Sequence, residues 1–240
     1  MGTLLYNTTG LADSGRILHQ YLRDNTSPTS TYRLNATLEI SKEPTHNRRI
    51  LMYTPIGCTF DERACKFFSG CAATSKVCDR DSQFSCDIRL PSNYTYDKLG
   101  DKNYDIIEHM CRNNLTEKYD MFVKMDDDLL VNMQSFQRNL DSIDIAGRSM
   151  LGFLRQASDG VIWPQGALYA FTAETLQGLC RSQEARDQLK GKHEDVNFGR
   201  AMATLGDVSF YNIDAVANIY HLQYQSSRLF VQYLQYGKCT

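Results

Sequence analysis

Two acidic groups in this 240-residue chain have residue types and spacing that could do chemistry. Asp126, Asp127 and Asp128 are consecutive, and they follow directly on the run Tyr119-Asp120-Met121-Phe122-Val123-Lys124-Met125. Three adjacent carboxylates repel one another and disfavour extended backbone, so folding alone gives little reason to place them at a strand end. A divalent cation relieves that cost. Mg2+ or Mn2+ is held by one or two carboxylates and keeps further positions for water and phosphate oxygens. The competing reading is a solvated acidic turn. An EF-hand calcium loop is ruled out, since it needs Gly where Val131 stands and Glu where Gln137 stands.

Glu194 and Asp195 form the second group, at the start of a predicted helix. Either carboxylate could serve as an acid or a base, but neighbours on a helix point about 100° apart, so one of the two would face a ligand. Attraction of acidic residues to a helix N-terminus is the alternative explanation. His221, in Tyr220-His221-Leu222, can ligate a metal or pack among aromatics. Trp163, the one tryptophan, can stack on a ligand or fill the core.

The elements that must position these residues alternate between strand and helix. Ile50-Leu51-Met52-Tyr53, stopped by Pro55 and Gly57, reads as a buried first strand. A helix is predicted over 61–68, a cysteine-rich cross-linked loop over 69–87, and an amphipathic helix over 96–112. The strand over 119–125 ends in the three aspartates, and Asn132 can cap a helix running to about Leu140. Further strands are expected over 150–154, 167–171 and 208–211, with helices over 172–180 and 194–205. That alternation predicts an α/β fold with an open, largely parallel central sheet flanked by helices. In such sheets the carboxyl ends of the strands face the ligand crevice, which is where the aspartates fall. Residues 1–47 are polar and read as a stem or lead-in, leaving 48–240 as the packed domain.

The apolar and charged fractions, 42% and 22%, are those of a globular protein, and a net charge of -2 gives no electrostatic basis for nucleic-acid binding. Cys58, Cys65, Cys71, Cys78, Cys86, Cys111, Cys180 and Cys239 contain no C-x-x-C pair of the zinc type, so disulfides are expected, with their pairing open. Sequons at Asn7, Asn25, Asn35, Asn93 and Asn114 point the same way, to a lumenal chain. No stretch reads as a signal peptide or membrane span, as expected of a lumenal domain separated from its anchor.

Lys124-Met125-Asp126-Asp127-Asp128-Leu129-Leu130-Val131-Asn132 resembles the K-x-D-D-D-x-x-V-N signature of the β-1,3-galactosyltransferase and Fringe-like glycosyltransferases. Trp163-Pro164-Gln165-Gly166-Ala167-Leu168-Tyr169 is similar to that family's aromatic, Pro and Gly segment. His193-Glu194-Asp195-Val196-Asn197-Phe198-Gly199 is similar to its E-D-V-x-x-G motif. The three occur in the family's order, within a resemblance covering roughly residues 48–225.

The resemblance implies a GT-A-type, Rossmann-like fold, a UDP-sugar donor, Mn2+ (with Mg2+ the alternative) and inversion at the anomeric carbon. It also implies roles. Asp128 would ligate the metal, with Asp126 and His221 as further ligands; Asp126, Asp127, Lys124, Trp163, Gly166 and Glu194 would contact substrate; and Asp195 would be the general base. The expected activity is transfer of galactose or N-acetylhexosamine to a glycan on protein or lipid, with a β-1,3 linkage. Its setting would be the Golgi or ER lumen, as part of a type II membrane protein. A non-catalytic glycan-binding or chaperone-like relative of the same fold is the alternative.

Overall fold

The computed structural model describes residues 33–35, 46–55, 75–82, 85–126, 129–131, 133–212 and 219–221. In chain order its elements begin with β1 (Arg33–Asn35), β2 (Ile50–Pro55), β3 (Ser75–Cys78) and β4 (Ile88–Arg89). A 3-10 turn (Tyr96–Lys98) leads into α1 (Leu99–Arg112), and a second (Leu115–Glu117) precedes β5 (Met121–Met125) and β6 (Leu129–Val131). Then follow α2 (Met133–Asp141), β7 (Ser149–Gln156), β8 (Ile162–Thr172), α3 (Ala173–Arg181) and α4 (Gln183–Asp187). The last are α5 (Glu194–Leu205), β9 (Ser209–Asn212) and β10 (Ile219–His221).

Eight strands form one sheet in the order β1-β9-β7-β8-β5-β2-β3-β4. All neighbours are parallel except β8, which runs antiparallel to both β7 and β5. The α/β architecture with a mostly parallel sheet is as expected from the alternation of elements. The reversal of β8 is not visible in that alternation, because side chains alternate across a strand whichever way its neighbour runs. It follows from a short connection. The Ala157 N–H donates to the Val161 carbonyl at 2.9 Å, and Gly160 turns the chain at φ +85°, a value that glycine adopts without a Cβ clash.

Strand β5 shows how the sheet is packed. Phe122 points to one face, where it stacks on Phe171 at 5.5 Å and joins Ile106, Ile107 and Met110 of α1, Leu176 and Leu179 of α3, and Phe198 and Met202 of α5 in one buried core. Met121, Val123 and Met125 point to the other, packing with Leu151, Leu168 and Ala170 against Phe136 and Leu140 of α2. Each of these larger side chains contributes about 1.5–3 kcal/mol by leaving water, which is what holds helices on both faces. Pro164 is tolerated inside β8 because β5 pairs only with residues 168–172 of that strand. The missing N–H of proline therefore costs no bond to β5.

The 69–87 segment, expected as a loop, contains β3, parallel to β2, and a disulfide between Cys78 and Cys86. Four residues are too few for a period to show. A second disulfide, Cys111–Cys180, ties the end of α1 to the end of α3. Cys58, Cys65, Cys71 and Cys239 lie outside the described residues, as do the helix expected over 61–68 and the cap residue Asn132. Ahead of residue 48, Arg33–Asn35 joins the sheet edge beside β9. Asn93 and Asn114 are exposed. Among the described residues no helix is long and apolar enough to cross a membrane.

Candidate functional site

Register builds the centre of the site. Lys124 of β5 pairs with Tyr53 on β2 and with Tyr169 on β8, so the three stand in one row across the sheet, on the face that carries Phe122. The next residues along β5 lead out of the sheet at its carboxyl end. There the Asp126 N–H still donates to the Ala167 carbonyl at 2.9 Å, carrying the β5–β8 ladder into the aspartates.

Lys124 does not reach out to solvent. Its side chain is 4% exposed, and its ammonium lies 2.5 Å from Asp126 Oδ1, 2.5 Å from the Gly166 carbonyl and 3.3 Å from Glu194 Oε2. The Tyr169 hydroxyl donates to the other oxygen of Glu194. Burial alone would lower the lysine pKa, but the charges of Asp126 and Glu194 outweigh it and raise the value, so the ammonium persists. Burial pushes the Glu194 carboxyl above its ordinary value, with Lys124 pulling the other way. The phenols of Tyr53 and Tyr169 are both pushed up, chiefly by burial and then by the nearby Glu194 charge, and stay neutral.

Helix α5 brings the second carboxylate group to this place, and its seat is made by absent side chains. A Cβ on Gly199 would lie 2.5 Å from the Ile162 carbonyl and 2.6 Å from Trp163 Cβ, so only glycine lets α5 sit this close to β8. Phe198 packs on the Tyr169 ring with centroids 4.7 Å apart. The chain entering α5 is held too: Asn197 Nδ2 donates to the Lys190 carbonyl at 2.6 Å, and the Gly100 N–H donates to the Gly191 carbonyl at 2.8 Å. Gly191 itself sits at φ +106°.

Glu194 and Asp195 therefore start the helix with separate duties. Glu194 turns in to Lys124 and Tyr169, while half-buried Asp195 accepts from the Val196 N–H through Oδ1 at 2.8 Å. Both approach Gly166: a Cβ there would be 3.5 Å from Asp195 Oδ2 and 3.5 Å from Glu194 Oε2. Trp163 is partly buried behind this group, its Cβ against the glycine of α5.

Of the residues singled out from sequence, the structure thus brings together Lys124, Asp126, Gly166, Glu194 and Asp195. Asp127 and Asp128 lie outside the described residues. For His221 the backbone is described: β10 pairs antiparallel with β6, and His221 stands opposite Leu129, the residue next to Asp128. Among the described residues no group of three His, Cys, Asp or Glu side chains is arranged to hold a metal. The sequence alone assigns no role to Tyr53 or Tyr169. Their period-2 positions are legible, but only the strand register shows that they flank Lys124.

No family model matches the chain, and no curated protein matches it. Among solved structures it is similar to a glycosyltransferase involved in glycosylation of the major capsid of PBCV-1, at 9% identity and a TM-score of 0.42, covering 79% of this chain and 100% of that one. A likeness this distant carries no conclusion about chemistry.

Proposed function

We propose that the chain is an inverting, metal-dependent hexosyltransferase that moves galactose or an N-acetylhexosamine from a UDP-sugar to a glycan hydroxyl on protein or lipid, with a β-1,3 linkage. The observation that supports this reading is convergence. The end of β5 at Asp126, Gly166 on β8 and the first turn of α5 meet at one point, although 42 and 70 residues separate Lys124 from its partners on β8 and α5. The β6–β10 pairing sets the backbone of His221 opposite Leu129, three residues along the chain from Asp126.

An oxygen-rich set of aspartates with one imidazole suits a hard or borderline divalent cation. Asp128 and His221 would hold Mn2+, or Mg2+ in its place. Asp126 would face the donor from an anchored position, since Lys124 already holds its Oδ1. When bound, the cation would stabilise charge developing on the diphosphate leaving group. Asp195 takes the proton from the acceptor hydroxyl as that oxygen attacks the anomeric carbon from the face opposite UDP. Glu194, with one oxygen on Lys124 and the other on Tyr169, is not the base. Gly166 leaves open the space a side chain would fill between Asp195 and the strand end.

The two disulfides among the described residues fit an oxidising compartment, and the chain is proposed to work in the Golgi or ER lumen. Purified protein incubated with a panel of nucleotide sugars and glycan acceptors should release UDP from a single donor, and only with Mn2+ or Mg2+ present. Asp195→Asn should lower turnover by about 10³-fold with little change in thermal midpoint, and Asp128→Ala should remove the cation dependence together with activity. Unchanged turnover in both variants would sink the assignment.

A further inference from the structure

Given the transferase reading of this site, we propose that Lys124 and Glu194 form a positioning pair: a buried ion pair that fixes the rotation of the first turn of α5 against the end of β5, aiming Asp195 and Asp126 at one reaction centre. The case begins with donor and acceptor counting. An ammonium has three N–H donors, and three acceptors surround this one: Asp126 Oδ1, the Gly166 carbonyl and Glu194 Oε2. At 4% exposure Lys124 has no donor left for a diphosphate, so the cation nearest the acidic cluster in sequence is not a substrate contact.

Glu194 is used up in the same way, since Lys124 takes one oxygen and the Tyr169 hydroxyl takes the other. Both carboxylate oxygens are thereby locked to β5 and β8. Asp195 follows Glu194 at the helix start, about 100° further round, so clamping the first sets the direction of the second. Without the clamp, the Gly199 seat and the packing of Phe198 on Tyr169 still hold α5 on β8, but both lie beyond the first turn and do not set its aim. A buried pair of this kind is costly to desolvate, and removing one member leaves the other charge uncompensated.

The test compares Lys124→Met, Glu194→Gln and the double variant with the parent, measuring kcat, donor KM and thermal midpoint. Misplacement of reacting groups by about 1 Å costs on the order of 100-fold in rate, so Lys124→Met should lower kcat by about 100-fold while donor KM changes by less than about threefold. The double variant should lose about as much kcat as Lys124→Met alone, because either change opens the same clamp. A raised donor KM with kcat preserved would make Lys124 a donor contact and overturn the proposal. So would a lowered midpoint with kcat per folded molecule unchanged.

Should Lys124→Met not fold, Glu194→Gln and Tyr169→Phe carry the same test, each expected to lower kcat with donor KM retained; unchanged kcat in both overturns the pair. The midpoints of Glu194→Gln, Tyr169→Phe and their double variant need no turnover, and here they should be non-additive. A parent that turns over no nucleotide sugar therefore fails the transferase reading, whereas additive midpoints fail the clamp.

Discussion

Strand β5 has an aspartate at each end, and the two are handled differently. At the amino end, Asp120 is 42% exposed and is held chiefly by Arg49, which gives it a guanidinium contact at 2.7 Å and a backbone N–H at 2.8 Å. The Asp120 N–H returns a bond to the Arg49 carbonyl, so the pair closes the β2–β5 ladder just ahead of Ile50 and Met121. At the carboxyl end, Asp126 meets a buried lysine that is shared with β8 and with the start of α5. One charge is spent where it stands, on joining two adjacent strands. The other belongs to a group assembled from distant segments, with more carboxylate than one ammonium can neutralise. The proposed function is placed where the strand pattern is broken at a cost that folding does not require.

Three substitutions would break or sharpen this contrast. The largest effect is expected between the two ends. Phe122→Ala should lower the free energy of unfolding by about 3–5 kcal/mol, since Phe122 fills the core between Phe171 and α1. Urea denaturation measures this, and a loss under about 1 kcal/mol would mean that the middle of the strand does not hold its ends apart.

Next is Gly199→Ala, which forces a methyl group against the Ile162 carbonyl and Trp163. About 1–3 kcal/mol of stability should be lost. Transfer activity should fall further than the folded fraction does, as α5 shifts away from β8. Activity per folded molecule equal to the parent's would show that the carboxyl-end group does not depend on that seat.

The smallest effect is at the amino end. Hydrogen bonds from Arg49 hold the Asp120 carboxyl below its ordinary value. A lowered folded value contributes stability that is present above the unfolded value, near pH 4, and is lost as pH falls through the folded one. In Asp120→Asn that part of the acid slope should vanish and neutral-pH activity should be kept, as read from thermal midpoints and transfer assays across the acid range. Activity lost in step with Asp195→Asn would erase the difference between the ends.

Most elements were legible from pattern alone. The helix expected over 194–205 is found as Glu194–Leu205, and the strand over 119–125 as Met121–Met125, because long apolar periodicities survive any tertiary context. Short or reversed elements were not. β3 hides in a cysteine-rich stretch, and the antiparallel course of β8 leaves no trace in its own residues. Within the site, the acidic residues stood out by type, and Gly166 through the family resemblance of its segment. That Lys124 faces inward, though expected as a substrate contact, did not, since a lysine ending an apolar strand reads equally well as a solvated tip.

What the sequence determined by itself is therefore local: the α/β alternation, the faces of β5, the aspartates at its carboxyl end, and two carboxylates opening a helix. These depend on periods of two and 3.6 residues and on side-chain chemistry, both carried within a segment. Tertiary structure alone decided the partners. It paired Cys111 with Cys180, set Tyr53 and Tyr169 beside Lys124, placed His221 opposite Leu129, and divided Glu194 from Asp195. Each of these is a contact between segments far apart in the chain. Such contacts are selected by which strands pair and how closely helices can approach them, and no single segment encodes that choice.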